Sequence, residues 1–210
     1  MQNKFARGLY VLVDDSLKTE LSMQEKARLV IEAGIGVLQL RMKKTSDAEA
    51  LEITKEIMVL ARSSETKVIV NDRVDLALLG GADGVHVGAD DVPVSLARRV
   101  LGPDRLVGAT CRSVEDIVAA RTAGADHVGL GPVFQTSTKV VNAAPLGIEG
   151  LRTVVTAAPL PVVAIGGISE NSLRAVLQTG AHCAAVASAV WSADDVVAAL
   201  EALKRAAQQQ

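Results

Sequence analysis

The stretch GADHVGL at residues 124–130 shows the unit from which this chain is built, a glycine that ends a helix followed directly by a short apolar run. Similar stretches begin at Gly34, Gly81 and Gly180. In each, the first glycine suits the left-handed C-cap of a helix and turns the chain into an extended strand. Each of the three intervals between these glycines has room for two strand–helix units, and four such intervals along the whole chain would make eight units.

Short apolar runs supply the eight strands. We place them at residues 9–13, 37–41, 68–71, 85–87, 106–109, 128–130, 162–165 and 184–187. Helical patterns lie between them, and Ser22, Ser46, Ser113 and Ser192 each precede Glu or Asp by three residues, the spacing of a capping box.

Apolar strands that alternate with helices favour an α/β fold with a parallel sheet covered on both faces. Eight such units in 210 residues predict a single (β/α)8 TIM barrel over residues 1–207, with residues 208–210 as a disordered tail.

The composition describes a globular chain without a general affinity for polyanions. Hydrophobic residues make up 49% of the sequence and charged residues 22%. Lys and Arg number 22 against 24 Asp and Glu, a net charge of −2, which argues against nucleic acid or a membrane as a partner. Exposed apolar positions on the outer helices would allow a homodimer.

The two cysteines, Cys111 and Cys183, form neither a disulfide framework nor a zinc-binding pattern. The N-terminus lacks the apolar segment of a signal peptide, and the apolar runs are shorter than the roughly 18 residues of a membrane span. We therefore expect a cytoplasmic protein.

A TIM barrel carries its functional site at the carboxyl ends of its strands, so the polar residues that follow each strand should share one site. In chain order they are Asp14, Asp15 and Ser16; Gln39, Arg41 and Lys43; Asn71 and Asp72; Asp90 and Asp91; Thr110; Thr136, Ser137, Thr138 and Lys139; Gly166 and Gly167; and Ser188. This mixture of cations, carboxylates and hydroxyls suits a metal-bridged polyphosphate beside a second phosphate.

Two of these segments suit phosphate in particular. The polar loop at residues 131–139 carries three hydroxyls and one cation and has no helix or strand pattern of its own. Gly166 and Gly167 follow the seventh strand, where TIM barrels commonly hold a phosphate through loop amides and the N-terminus of a short helix.

Several of these residues also have a purely structural interpretation. Asp72 could cap the next helix, and Asp91 precedes Pro93, which is an ordinary helix-start signal. His86 and His127 fall inside predicted strands, where a hydrogen-bonded structural imidazole is more common than a catalytic one.

Cys111 follows Thr110 at the end of a predicted strand, which places it near the site. No histidine is paired with it by the sequence, however, so the pattern argues against a thiolate nucleophile.

Six segments, in this order, resemble the thiamine-phosphate synthase family. They are QLRMK (39–43), VNDRVDLAL (70–78), GADGVHVGADD (81–91), GLGPVFQTSTK (129–139), PLG (145–147) and AIGGI (164–168). The resemblance extends from residue 9 to about residue 203. The NDR, GPVF and IGGI segments are specific together, whereas IGGI alone fits many phosphate-binding barrels.

The resemblance implies condensation of 4-amino-2-methyl-5-hydroxymethylpyrimidine diphosphate with 4-methyl-5-(2-hydroxyethyl)thiazole phosphate, which yields thiamine monophosphate and pyrophosphate. Carried over by position, it assigns the pyrimidine diphosphate to Gln39, Arg41, Lys43, Asn71, Thr110 and Lys139, and the thiazole phosphate to Thr136, Ser137, Thr138, Gly167, Ala187 and Ser188. It also implies Mg²⁺ at Asp72 and Asp91 and catalytic roles for Arg41, Lys43, Thr110 and Lys139.

Three positions depart from the family pattern. Met42 replaces the usual glutamate, Ala89 the usual glutamine and Thr110 the usual serine. Thr110 keeps a hydroxyl, so we expect reduced rather than absent activity. Met42 follows Arg41 on a strand and should therefore point away from the ligand.

Two other functions stay open from the sequence. A related isomerase, similar to thiazole tautomerase, would need a proton-transferring side chain and would not need the Asp72 and Asp91 pair. A non-catalytic barrel that binds a phosphorylated thiamine precursor would release no pyrophosphate.

We expect Lys139→Ala to lower turnover far more than stability, because an exposed loop charge typically contributes less than about 0.5 kcal/mol to folding. Steady-state kinetics and thermal unfolding of the same variant check this. Parallel losses of activity and melting temperature would count against the role of Lys139.

Overall fold

The strands of the barrel pair in chain order from β1 to β8, and β1 also pairs with β8, so the sheet closes on itself. This arrangement is seen in a computed structural model that describes residues 6–17, 19–136 and 144–208. Every strand pair is parallel. The predicted (β/α)8 barrel is confirmed.

The strands are β1 (Gly8–Asp14), β2 (Val37–Arg41), β3 (Lys67–Asn71), β4 (Gly84–Val87), β5 (Leu106–Cys111), β6 (His127–Leu130), β7 (Val162–Ile165) and β8 (Cys183–Val186). The helices are α1 (Met23–Glu32), α2 (Asp47–Ala61), α3 (Val74–Leu79), α4 (Val94–Leu101), α5 (Val114–Thr122), α6 (Gly147–Ala157), α7 (Glu170–Leu177), α8 (Ser188–Trp191) and α9 (Val196–Gln208). α9 thus includes Gln208, which the sequence pattern assigned to the tail.

All eight predicted strands are present, with ends that differ by at most two residues. β8 ends at Val186 rather than at the predicted residue 187, because Ala187 is the N-cap of the short helix α8. The four repeat glycines, Gly34, Gly81, Gly124 and Gly180, have φ of 66°, 74°, 99° and 97°. Each therefore makes the left-handed turn that the repeat predicts.

The helix starts agree with the capping pattern in three cases out of four. Ser22 and Ser113 form complete capping boxes, and the side chain of Ser46 accepts from the amide of Glu49. The prediction for Ser192 is wrong, because that residue ends α8. Asp195 instead begins α9, where its Oδ1 accepts from the amide of Ala198 at 2.9 Å.

The alternation of each strand divides the core into an inner and an outer layer. Tyr10, Leu12, Val37, Ile69, Leu106 and Val163 are among the buried side chains inside the barrel. Val11, Val13, Leu38, Leu40 and Val128 face outward and pack against the helices. Because strand residues two apart share a face, Asp14, Gln39 and Arg41 belong to the inner layer.

Two glycines make room for imidazoles inside the barrel. A Cβ on Gly108 would collide with His127 and would lie 2.6 Å from Nδ1 of His86, and a Cβ on Gly129 would lie 3.0 Å from Cε1 of His86. The two rings lie 5.8 Å apart between centroids. His86 and His127 therefore fill the side of the interior that is formed by β4–β6, whereas the side formed by β1–β3 is mainly apolar.

None of the helices in the described ranges is both long and apolar enough to cross a membrane.

Candidate active site

The carboxyl ends of the eight strands form the mouth of the barrel. Arg41, the first cation at this mouth, lies at the end of β2 and pairs with a carboxylate at the end of β1. Its Nη1 donates to Oδ2 of Asp14 at 2.8 Å. The two residues are partners in the register of β1 and β2, so the strands themselves bring the charges together. The guanidinium stays in reach of a ligand, since the Arg41 side chain is 18% exposed.

One layer below Arg41, Gln39 is buried and its Nε2 donates to the hydroxyl of Tyr10 at 2.7 Å. Burial raises the pKa of Tyr10. The phenol is therefore neutral and serves as a fixed hydrogen-bond partner.

The second cation, Lys43, joins two carboxylates into one cluster. Its ammonium forms an ion pair with Asp72, and Asp72 is hydrogen-bonded to the side chain of Asp91. Burial raises the pKa of Asp72, and the neighbouring Asp91 raises it further against the opposing effect of Lys43. Two acids in contact disfavour double ionisation unless a cation lies beside both.

The backbone of Asp72 has an unusual, left-handed conformation. Among the described residues it is the single non-glycine residue with positive φ, at 64°. This conformation costs on the order of 1 kcal/mol or more for a residue with a side chain. Its amide donates to the carbonyl of His86 at 2.7 Å, which ties the end of β3 to β4.

The interpretation of Asp72 as the cap of the next helix is wrong, whereas α4 does begin directly after Pro93, as the helix-start signal predicts. The N-cap of α3 is Arg73 and that of α4 is Pro93, and no described side chain caps either helix. Asp91 instead accepts from the amide of Gly88 at 2.8 Å, across the turn after β4. Both carboxylates are held at the mouth by contacts other than helix capping.

Asn71 and Thr110 occupy the ends of β3 and β5. Asn71 is half-buried and belongs to the inner face, two residues beyond Ile69. Thr110 is exposed at the mouth and shares a 3.0 Å hydrogen bond with Nε2 of His86.

The loop after β6 packs directly onto the end of β7. The amides of Val133 and Phe134 donate to the carbonyls of Ile165 and Gly166, both at 2.9 Å. Gly166 and Gly167 have φ of 103° and 66°, and a Cβ on Gly167 would collide with the carbonyl oxygen of Gln135. The glycine pair is therefore required for the loop to approach, and it brings Thr136 to the same side of the mouth.

Ala187 and Ser188 complete that side. Ile165 pairs with Ala185 in the register of β7 and β8, so Gly167 and Ala187, each two residues further, lie just beyond the ends of adjacent strands. Ser188 is exposed and begins α8. Ser137, Thr138 and Lys139 lie outside the described residues.

The described residues contain no group of three or more His, Cys, Asp or Glu that could hold a metal ion. The pair of Asp72 and Asp91 is smaller than such a group. It fits Mg²⁺, which takes one or two carboxylates and fills its other positions with water and substrate phosphates.

Met42 is half-buried and packs against the outward-facing core and the helices. The prediction that it points away from the mouth is therefore confirmed. Ala89 is exposed in the turn after β4 and contributes no polar group to it.

The sequence missed two residues of the inner layer, Tyr10 and His86. Tyr10 has the sequence pattern of an ordinary apolar strand residue, and its role shows only in the folded barrel, where its hydroxyl accepts from Nε2 of Gln39. For His86 a signal was available, because its two-residue spacing from Gly84 and Gly88 puts it on the inner face. His127, by contrast, is buried within the barrel, and burial lowers its pKa to about 3, which keeps the ring neutral.

A closed (β/α)8 barrel with cations, paired acids and a glycine-supported loop at one mouth is a TIM-barrel enzyme for small phosphorylated substrates.

Comparison with known proteins narrows this class to one family. The model of the thiamine monophosphate synthase family matches residues 9–190. Thiamine-phosphate synthase of Myxococcus xanthus is 50% identical over 203 residues, 97% of this chain and 93% of that protein. The enzyme of Anaeromyxobacter dehalogenans is 47% identical over 199 residues, 95% of this chain and 87% of that protein.

The solved thiamine phosphate pyrophosphorylase from Pyrococcus furiosus is 40% identical and superposes with a TM-score of 0.87, covering 99% of this chain and 97% of that one. The chain belongs to the thiamine-phosphate synthase family and is a transferase, which confirms the resemblance seen in the sequence.

The thiols offer a test of the site's chemistry. Burial raises the pKa of Cys111 and of Cys183 to about 12. We expect a disulfide reagent at about pH 8 to leave both thiols of the native protein intact and to modify both after denaturation. Cys111→Ala should keep its activity. Rapid modification of native Cys111 with loss of activity would contradict this picture.

Proposed function

We propose that this chain joins 4-amino-2-methyl-5-hydroxymethylpyrimidine diphosphate to 4-methyl-5-(2-hydroxyethyl)thiazole phosphate and releases pyrophosphate, with assistance from Mg²⁺. The observation that carries the proposal is the cluster of Arg41, Lys43, Asp72 and Asp91 at the ends of adjacent strands. It combines two cations suited to a diphosphate with two carboxylates suited to the metal that a diphosphate brings.

The proposed reaction is a dissociative substitution. The bond from the pyrimidine methylene carbon to the diphosphate oxygen breaks first, and its electron pair leaves with pyrophosphate. The lone pair of the thiazole nitrogen then forms the new bond to that carbon. Because this nitrogen carries no proton, the step needs no general base.

The residues proposed for the diphosphate side stabilise the negative charge that grows on the leaving group. Arg41 and Lys43 reach the mouth from β2 with their counter-charges already in place, and Lys139 is expected to add a third cation. Fixed charges of this kind need no reorganisation when the bond breaks, which is the main advantage of electrostatic catalysis. Gln39, Asn71 and Thr110 are proposed to orient the pyrimidine.

Asp72 and Asp91 are the proposed ligands of Mg²⁺. The metal would neutralise diphosphate charge as a Lewis acid. The raised pKa of Asp72 supports the assignment, since two acids in contact already favour an added positive charge.

The thiazole phosphate is proposed to bind on the other side of the mouth, at Thr136, Ser137, Thr138, Gly167, Ala187 and Ser188. Exposed Ser188 and the close approach of the β6 loop to Gly167 support this assignment. Hydroxyls and backbone amides suit the single phosphate of this substrate.

With both substrates and Mg²⁺, we expect the protein to release pyrophosphate in step with thiamine monophosphate. A coupled pyrophosphate assay and chromatography of the product check this. Isomerisation of a thiazole phosphate alone would favour the tautomerase alternative, in which His86 could transfer the proton. Binding of both substrates without turnover would favour the non-catalytic barrel.

The metal site can be tested with neighbouring acids. We expect Asp91→Asn to raise the Mg²⁺ concentration for half-maximal activity, and the dissociation constant for Mn²⁺ measured by electron paramagnetic resonance, by about tenfold or more. Asp90→Asn, which changes an exposed acid one residue away, should alter neither value. Removing charge beside Asp72 relieves repulsion, so stability should stay equal or rise. Equal effects of the two substitutions would contradict the assignment.

A further inference from the structure

The end of β1 contributes a carboxylate to which the proposed reaction gives no role. Asp14 shares its face of β1 with Tyr10 and Leu12, so it points into the barrel, and it is 0% exposed. Burying a carboxylate costs several kcal/mol unless charges and hydrogen bonds compensate. The partners of Asp14 therefore show what holds it in place and what it holds.

Both oxygens of the Asp14 carboxylate are occupied. Oδ1 accepts from the amide and the hydroxyl of Ser16 at 2.7 and 2.6 Å. Oδ2 accepts from Nη1 of Arg41 at 2.8 Å. The carboxylate is thus fixed by its own loop on one side and holds the guanidinium on the other.

This contact restricts a side chain that would otherwise be flexible. Arginine carries five N–H donors in one planar fork. Holding its side chain in a single conformation costs up to about 2 kcal/mol of rotamer entropy. The bond to Asp14 uses one donor and fixes the plane in which the others lie. Arg41 therefore meets a ligand in an orientation that is set before binding.

A buried lysine holds the backbone beneath this pair. Lys26 of α1 is 3% exposed, and its Nζ donates to the carbonyls of Asp14 and Leu17, both at 3.1 Å. The ammonium also lies 5.5 Å from the ring centroid of Trp191 in α8. Lys26 of α1, packed against Trp191 of α8, thereby holds the backbone of Asp14, whose side chain holds Arg41.

Asp15 braces the same region from the next position. Its carboxylate accepts from the amides of Lys43, Lys44 and Thr45 at 3.0, 2.7 and 3.0 Å, and from the hydroxyl of Thr45 at 3.0 Å. These bonds fix the loop that carries Lys43. Two consecutive acids, Asp14 and Asp15, thus hold the Arg41 guanidinium and the backbone of Lys43.

We propose that Asp14 is a positioning residue of the diphosphate site, which holds the Arg41 guanidinium in the orientation that binds the leaving diphosphate. This inference rests on the proposed function, in which Arg41 contacts that group. It gives β1 a role in the site through Arg41, because Asp14 itself is fully buried.

The test uses magnesium pyrophosphate as the probe, since its binding to the whole protein can be measured by calorimetry without turnover. Asp14→Asn keeps the size of the side chain and an acceptor for Ser16 but removes the charge that holds Arg41. We expect magnesium pyrophosphate to bind about tenfold more weakly or worse. The KM for the pyrimidine diphosphate should rise more than kcat falls.

A double variant separates positioning from a general structural role. If Asp14 acts through Arg41, Asp14→Asn should weaken pyrophosphate binding no further once Arg41→Ala is present. Losses that add in the double variant would overturn the inference.

Asp126→Asn is the matched control. Asp126 also pairs with an arginine, Arg98, and accepts the amide of Val107 at 2.8 Å, but it precedes β6 at the opposite end of the barrel. This variant should lose stability and keep its affinity for magnesium pyrophosphate.

If Asp14→Asn does not fold, Ser16→Ala removes one bond to Oδ1 and should show a smaller loss of affinity that again disappears with Arg41→Ala. Wild-type affinity in folded Asp14→Asn, or in Ser16→Ala where the first variant does not fold, would overturn the inference. The protein could also bind magnesium pyrophosphate in a way that depends on Asp14 and yet form no thiamine phosphate. That outcome would overturn the proposed reaction and support the inference.

Discussion

A closed parallel barrel forces every second residue of each strand into one narrow interior, and the site depends on how this chain fills that space. Apolar side chains such as Tyr10, Val37 and Leu106 fill the inner layer up to its upper end, where Gln39 is joined to Tyr10. Above them the same alternation continues with polar residues. The rule that packs the barrel therefore also places Asp14 and Arg41 at its mouth.

Charges in such a place destabilise the fold unless they are compensated, and here they are compensated mostly in pairs. Arg41 pairs with Asp14 and Lys43 with Asp72. Asp91, which accepts from the amide of Gly88, also lies beside Asp72 and raises the pKa of that acid. The left-handed backbone of Asp72 adds a further cost at the same point. Unfavourable contacts thus concentrate where a metal would relieve them, as expected of a functional site.

The fold was predictable because its signal is repeated and local. Four glycines and eight apolar runs indicate the barrel, and one misplaced cap at Ser192 changes nothing in it. For the site, the sequence predicted which residues come together but not which of them pair. The rule that functional residues lie at strand ends brings Arg41, Asp72 and Asp91 to one site, but it does not give their hydrogen-bond partners. The pairing of Arg41 with Asp14 depends on strand register, and the role of Tyr10 depends on the contact of its hydroxyl with Gln39 inside the barrel. Neither relation can be read from spacing along the chain.

The mouth has two chemically different sides, and this division bears on the proposed reaction. Among the described residues, the ends of β1–β4 carry the charged side chains, whereas the ends of β6–β8 carry glycines and the hydroxyls of Thr136 and Ser188. Thr110 on β5 lies between them, bonded to His86. In the proposed reaction the leaving diphosphate and the phosphate of the incoming thiazole are separate anions, and binding them on different sides of the mouth holds both substrates in place without bringing their charges together. Charged side chains suit the diphosphate whose negative charge increases, while neutral donors suffice for the phosphate whose charge stays constant. On the proposed function, the asymmetry of the barrel mouth thus matches the asymmetry of the reaction.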